Sequence, residues 1–187
     1  MSSEPEAGKS RTEKARVFFA LWPSEAVAGA LATIAAALAK QAGGRPTRRE
    51  TIHMTLAFLG DVPVERLPGL LRVAEAVHAA AFELTLDRFG VWQHNRLLWA
   101  GCDSMPALVG LASSLKTRLV EADFAVADAK RPFAPHVTLV RKLTRLDAAL
   151  PVANALNFHC GEFVLVRSRL SDNGSAYEVL ARFPLCA

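Results

Sequence analysis

The chain has 187 residues, 51% of them hydrophobic and 21% charged. That composition suits one globular domain with a real core and excludes a disordered chain. Twenty-two Lys and Arg against 18 Asp and Glu leave a net charge of +4, an excess that permits a phosphate-bearing partner without identifying one.

Taken in chain order, residues 1–14 are polar and carry no apolar stretch, so they read as a flexible tail rather than a signal peptide. The fold is expected to occupy residues 15–187 as one domain. Arg16 to Trp22 (RVFFALW) has the size and composition of a buried strand. Ser24 is a fitting N-cap for a helix from Glu25 to Gln41 that Gly43 and Gly44 stop. Its uncharged stretch, Ala26 to Ala39, is too short to cross a bilayer, so no membrane role is expected. A strand from Thr51 to Leu59, a helix from Pro63 to Ala81 and a long strand from Phe82 to Trp92 follow.

The same order then begins again. Arg96 to Cys102 (RLLWAGC) reads as a strand, Asp103 and Ser104 as candidate caps, and Pro106 as first-turn residue of a helix reaching Glu121. After the basic loop AKRPFAP come a strand with His-Val-Thr-Leu, a short helical stretch over Asp147 to Leu156, and a strand from Glu162 to Leu170. Asp172-Asn173-Gly174 supplies a tight hairpin turn, and Tyr177 to Phe183 is the returning strand. Two halves, about 15–92 and 95–184, thus share one order of elements. This predicts an α+β fold, internally duplicated and two-lobed, with its sheets facing each other across a groove.

The repeated tetrapeptide carries the chemistry. His53-Met54-Thr55-Leu56 stands in the first half and His136-Val137-Thr138-Leu139 in the second. With the chain's content of Thr and Leu, two histidines followed by this pattern arise by chance about four times in ten thousand, so the repeat is a signal. Side chains alternate across a strand, so in each copy His and Thr share one face and the apolar pair the other. Two opposed imidazoles form an acid and a base near physiological pH without a metal. Threonine hydroxyls are compact donors to phosphate oxygens. The set matches in-line attack on a phosphodiester, with charge on phosphorus held by the hydroxyls and an arginine.

On these motifs the chain resembles the 2H phosphoesterase superfamily, and its RNA 2',3'-cyclic phosphodiesterase (2'-5' RNA ligase) branch in particular. The stretches RVFFALWP, HMTLAFLGDV, FELTLDRFGVW, RPFAPHVTLVRK and YEVLARFPL extend the resemblance from about residue 16 to 185. It implies a bilobal fold with mainly antiparallel sheets, outer helices and a central groove. It further implies hydrolysis of RNA 2',3'-cyclic phosphate ends to 2'-phosphomonoesters, no cofactor and no metal, and some capacity for 2'-5' ligation. Carried over residue by residue, His53 becomes the proton donor and His136 the proton acceptor. Thr55 and Thr138 become phosphate-binding hydroxyls, and Arg141 is the next candidate for a phosphate contact. Strict alternation turns Arg141 away from His136, so it reaches the groove only if the strand ends or bulges near Val140. Arg131 has a weaker claim, to the groove rim.

Other features read as structure. His78 falls in a helix, His94 in a turn, and His159 beside Cys160 is a weak metal signal. Trp22, Trp92, Trp99 and Phe58 are expected in the core. Residues that choose the base are expected on loops such as Arg45 to Glu50 and Ala127 to Pro135. The cysteines Cys102, Cys160 and Cys186 are odd in number and lack CxxC spacing, which fits a reducing cytoplasm and no disulfide framework. The expected partner is RNA with a 2',3'-cyclic phosphate end, or a cyclic nucleotide; a monomer is the default. Competing readings are a phosphodiesterase for another cyclic nucleotide or a 2'-5' linked oligonucleotide, a non-catalytic RNA-binding module, and a metallohydrolase.

Overall fold

The computed structural model describes residues 13–103, 105–147, 150–151, 154–171 and 174–186. The strand expected at Arg16 forms β1 (Lys14–Leu21), which begins within the stretch read as a tail; residues 1–12 of that stretch lie outside the described residues. Helix α1 (Glu25–Ala42) starts where the Ser24 hydroxyl accepts from the Val27 N–H, and it ends at Gly43 with φ of 70°. A two-residue strand, β2 (Arg45–Pro46), and a 3-10 turn at Arg49–Thr51 lead into β3 (Met54–Pro63). His53 therefore stands at the entrance of β3 rather than within it.

The helix expected over Pro63 to Ala81 is shorter. Pro63 closes β3, Val64–Arg66 makes a 3-10 turn, and α2 spans only Leu67–Glu75. The long strand expected over Phe82 to Trp92 is two strands, β4 (Phe82–Leu86) and β5 (Arg88–Trp92), which belong to different sheets. The break falls at Asp87, whose N–H bonds the Gly101 carbonyl while its carboxylate pairs with Arg88 at 3.1 Å. Then come β6 (Leu97–Gly101), α3 (Pro106–Glu121) with Pro in its first turn, and β7 (His136–Arg141). The N-cap of α3 is Met105, without a side-chain cap; Ser104 lies outside the described residues. The helical stretch expected near Asp147 to Leu156 does not form among the described residues, and Leu156 instead opens β8 (Leu156–Cys160), where pairing with β4 wins. Strands β9 (Glu162–Ser171) and β10 (Gly174–Pro184) complete the chain. Asp172 and Asn173 of the expected hairpin turn lie outside the described residues.

Among the described residues, the main sheet runs β10-β9-β1-β3-β7-β6-β5, with β2 added beside β7; β4 and β8 form a separate pair. All these pairings are antiparallel. The two halves meet edge to edge through Met54 opposite Val137, so their sheets are one hydrogen-bonded path joined at this pair rather than two separate walls. Helix α1 packs on β7 of the second half and α3 on β3 of the first. One apolar core lies between the helices and one face of the sheet, built by residues such as Phe19, Leu31, Met54, Leu115, Val137 and Leu139. A smaller cluster of Phe18, Ala20, Val164 and Val166 lies apart from it, with Trp22, Phe58 and Tyr177 packed against it. The alternation of strands β1 and β9 puts this second cluster on the sheet's other face, which the helices leave open.

Candidate active site

The pair Met54–Val137 organises the site. Both side chains are fully buried on the helix face. An antiparallel register through this pair sets His53 across from Thr138 and Thr55 across from His136, all four on the open face. The repeat in the sequence is therefore a pseudo-twofold in space, with its axis at the strand junction.

Each imidazole is held the same way. His53 Nδ1 donates to the Thr51 carbonyl at 2.7 Å, and His136 Nδ1 donates to the Ala134 carbonyl at 2.9 Å. A carbonyl only accepts, so in the neutral ring Nδ1 carries the hydrogen and Nε2 keeps its lone pair for the groove. Both rings are half-buried. Trp22 stacks on His53 at 5.7 Å with 11° between planes, and Phe18 and Tyr177 close in at 4.8 and 5.3 Å. Trp92 meets His136 edge-on at 4.5 Å. Burial among these rings lowers the His53 pKa from 6.5 to about 4. The Thr51 carbonyl opposes that shift, and the charges of Arg141 and His136 add to it. Burial also lowers His136, with the Ala134 carbonyl opposing and Arg141 adding. In the free protein at neutral pH both rings are thus acceptors.

Arg141 acts on both histidines because of a bulge. Trp99 pairs with Thr138 and the next residue, Leu98, with Val140, so Leu139 is an extra residue in β7. Both Leu139 and Val140 are buried, and Arg141 returns to the open face with His136 and Thr138. The first copy repeats this: Ala20 pairs with Thr55 and Phe19 with Ala57, leaving Leu56 extra. Leu56 and Ala57 are buried, and Phe58 is swung out beside Thr55. Phe58, expected in the core, thus lines the groove at the place that Arg141 holds in the second copy.

Two recesses flank the histidines. One, of about 300 Å³, is lined by Arg45, Thr47, Arg48, Thr51, Arg141 and Tyr177 among others. The other, of about 380 Å³, includes Thr55, Phe58, Trp92, His94, Arg131 and His136. The two loops expected to choose the base supply one recess each. Arg131 reaches the second recess while paired with Asp128 at 3.3 Å. Trp22 and Trp92, expected in the core, are instead walls for the two imidazoles. Trp22 lies just beyond β1 and Trp92 ends β5, apolar surroundings that gave no sign of this, and Tyr177, the chain's one tyrosine, opens the stretch YEVLARFPL with nothing to mark it as a groove residue.

The remaining candidates stay apart. His159 is exposed and bonds Glu83 at 2.6 Å, while Cys160 points to the other face of β8, where burial pushes its thiol up to about 12. Among the described residues no three His, Cys, Asp or Glu side chains converge as metal ligands, and no helix is long and apolar enough to cross a membrane.

Residues 21–99 match the family model of LigT-like phosphoesterases. An RNA 2',3'-cyclic phosphodiesterase of Escherichia coli (strain K12) is 32% identical over 143 residues, covering 76% of this chain and 80% of that one. Its namesake in Thermus thermophilus is 30% identical over 178 residues, covering 91% and 90%. The crystal structure of E. coli LigT complexed with 3'-AMP superposes with a TM-score of 0.85 at 30% identity, covering 94% of this chain and all of that chain.

Proposed function

Because the chain belongs to the LigT-like phosphoesterase family, we propose that it hydrolyses 2',3'-cyclic phosphate ends of RNA to 2'-phosphomonoesters, without a metal, by proton transfer through His53 and His136. The observation that carries this reading is the duplicated His-Thr pair on one open face, each imidazole fixed through Nδ1 so that Nε2 is free. Water attacks phosphorus in line with the departing 3' oxygen. His136 takes the water proton as the new P–O bond forms, and His53 delivers a proton to the 3' oxygen as the old bond breaks. Thr55 and Thr138 donate to the non-bridging oxygens, and Arg141 balances the charge that gathers on them.

His53 starts neutral in this scheme. The phosphodiester anion favours an imidazolium beside it, so substrate binding raises the pKa and loads the proton that His53 then donates. With a 5'-hydroxyl in the place of water, the same geometry forms a 2'-5' linkage. The test is turnover of an RNA oligomer ending in 2',3'-cyclic phosphate, with excess chelator present and the product phosphate located by NMR. Steady formation of 2'-phosphate is expected. A 3'-phosphate product, or arrest by chelator, contradicts the proposal.

A further inference from the structure

Outside the catalytic set, the strongest unassigned feature is the recess beside His53. Three guanidinium groups, Arg45, Arg48 and Arg141, line it with Thr47, Ser175 and Tyr177, and no acidic residue is among its described lining. The fold brings these cations together despite their repulsion. β2 pairs with β7 so that Arg45 lies directly across from Arg141. Gly44 makes this approach possible: at φ of 97° a Cβ there would come within 2.6 Å of the Arg141 carbonyl oxygen. Arg48 is aimed by one N–H, which donates to the Ser175 carbonyl at 2.7 Å, and among the described residues its other donors have no partner and stay open to a ligand. Among the described residues the Thr47 hydroxyl is buried without a hydrogen-bond partner, a cost that a small shift of its side chain toward an anion in the recess would relieve.

The recess is continuous with the reacting centre. Thr51, in its lining, accepts the His53 Nδ1 bond through its carbonyl, and Tyr177, also in its lining, meets the His53 ring edge-on at 5.3 Å. Since Arg141 serves the phosphate under attack, the other two arginines and the Thr47 hydroxyl are surplus to a mononucleotide. We propose that Arg45, Thr47 and Arg48 form a second phosphate subsite that holds the internucleotide phosphodiester next to the terminal cyclic phosphate, so that an RNA strand is preferred to a cyclic mononucleotide. Forked guanidinium donors and a hydroxyl are the groups suited to a tetrahedral anion. This inference rests on the phosphodiesterase reading above and specifies its substrate.

The test compares three probes: a cyclic mononucleotide, a dinucleotide ending in 2',3'-cyclic phosphate, and the same dinucleotide with a neutral methylphosphonate linkage. With wild-type protein, KM is expected to be about tenfold lower for the charged dinucleotide than for the neutral one, the magnitude of one charge-assisted contact. In Arg45→Ala and Arg48→Gln that gap closes to less than threefold, and the salt dependence of dinucleotide binding weakens by roughly one phosphate contact. Thermal melting checks that Arg48→Gln keeps the fold, and Arg45→Ala removes a side chain with no hydrogen bond or ion pair among the described residues. An equal preference in wild type and both variants, or no preference in wild type, overturns the subsite. If no probe is turned over, the phosphodiesterase reading fails, and anisotropy of labelled dinucleotides ending in 2'-phosphate decides the subsite by the same charged-against-neutral comparison.

Discussion

Arg141 and Phe58 occupy the same place in the two copies of the motif, and that difference breaks the symmetry of the site. In the proposed mechanism a cation on one side only gives the phosphate a preferred orientation, and with it different tasks to two otherwise matched imidazoles. Replacing Arg141 by Ala is expected to lower kcat/KM by about 10²-fold or more, the usual cost of one donor to developing charge. Lysine keeps the charge without the fork and should recover only part of it. Steady-state kinetics on a cyclic-phosphate oligomer reads both. The lowered pKa values of both histidines place the kcat/KM bell on the acid side of pH 6.5, since that ratio reports the free enzyme. The bell for kcat is expected at higher pH, because bound phosphate favours imidazolium. A flat profile from pH 5 to 9 contradicts paired imidazole catalysis. His53 also links stability to pH: its folded-state pKa is below the unfolded value of 6.5. Its contribution is therefore complete above pH 6.5 and lost as pH falls towards about 4. His53→Gln should flatten that part of a melting-temperature profile.

At the scale of elements, the histidines and threonines were legible because strand alternation holds from His53 to Leu56 and from His136 to Leu139. Beyond those leucines it fails for one reason, a bulge in each copy. Alternation sends Phe58 to the core and Arg141 away from the groove, and the extra residue reverses both. Nothing in LAFLG or LVRK marks a bulge, because the bulged leucines are as apolar as their neighbours. The split of Phe82 to Trp92 was hidden in the same way, since FELTL and RFGVW both read as strand. Which sheet each joins depends on partners distant in sequence. The second half's histidine wall depends on a close approach of strands: a Cβ at Gly90 would come within 2.2 Å of the Trp99 ring, and Trp99 supports Trp92 against His136. Gly90→Ala is expected to cost about 1–3 kcal/mol through overpacking, seen in urea unfolding, and to lower turnover as Trp92 shifts. Unchanged stability would mean that Trp99 moves freely and does not brace the site.

At the scale of the molecule, the duplication was visible in the sequence, but the continuity of the sheet was not. It rests on one pairing, Met54 with Val137, between strands nearly half a chain apart. Each large helix also packs on the other half's motif strand, so neither half can close its core alone. We propose on this basis that residues 15–187 unfold as one cooperative unit. Urea transitions followed by tryptophan fluorescence and by far-UV circular dichroism should coincide; two separated transitions contradict the proposal. The same junction sets His53 and His136, the acid and base of the proposed mechanism, at strands from different halves, so that mechanism makes catalysis depend on the residues that carry the cooperative packing.

The most direct test of the account is the turnover of a cyclic-phosphate RNA oligomer by wild type, His53→Ala and His136→Ala, all with chelator in excess. Each substitution is expected to lower the rate by about 10²–10⁴-fold while thermal melting shows a folded protein. A folded variant at either position that keeps a rate within a few-fold of wild type would contradict catalysis by the paired histidines.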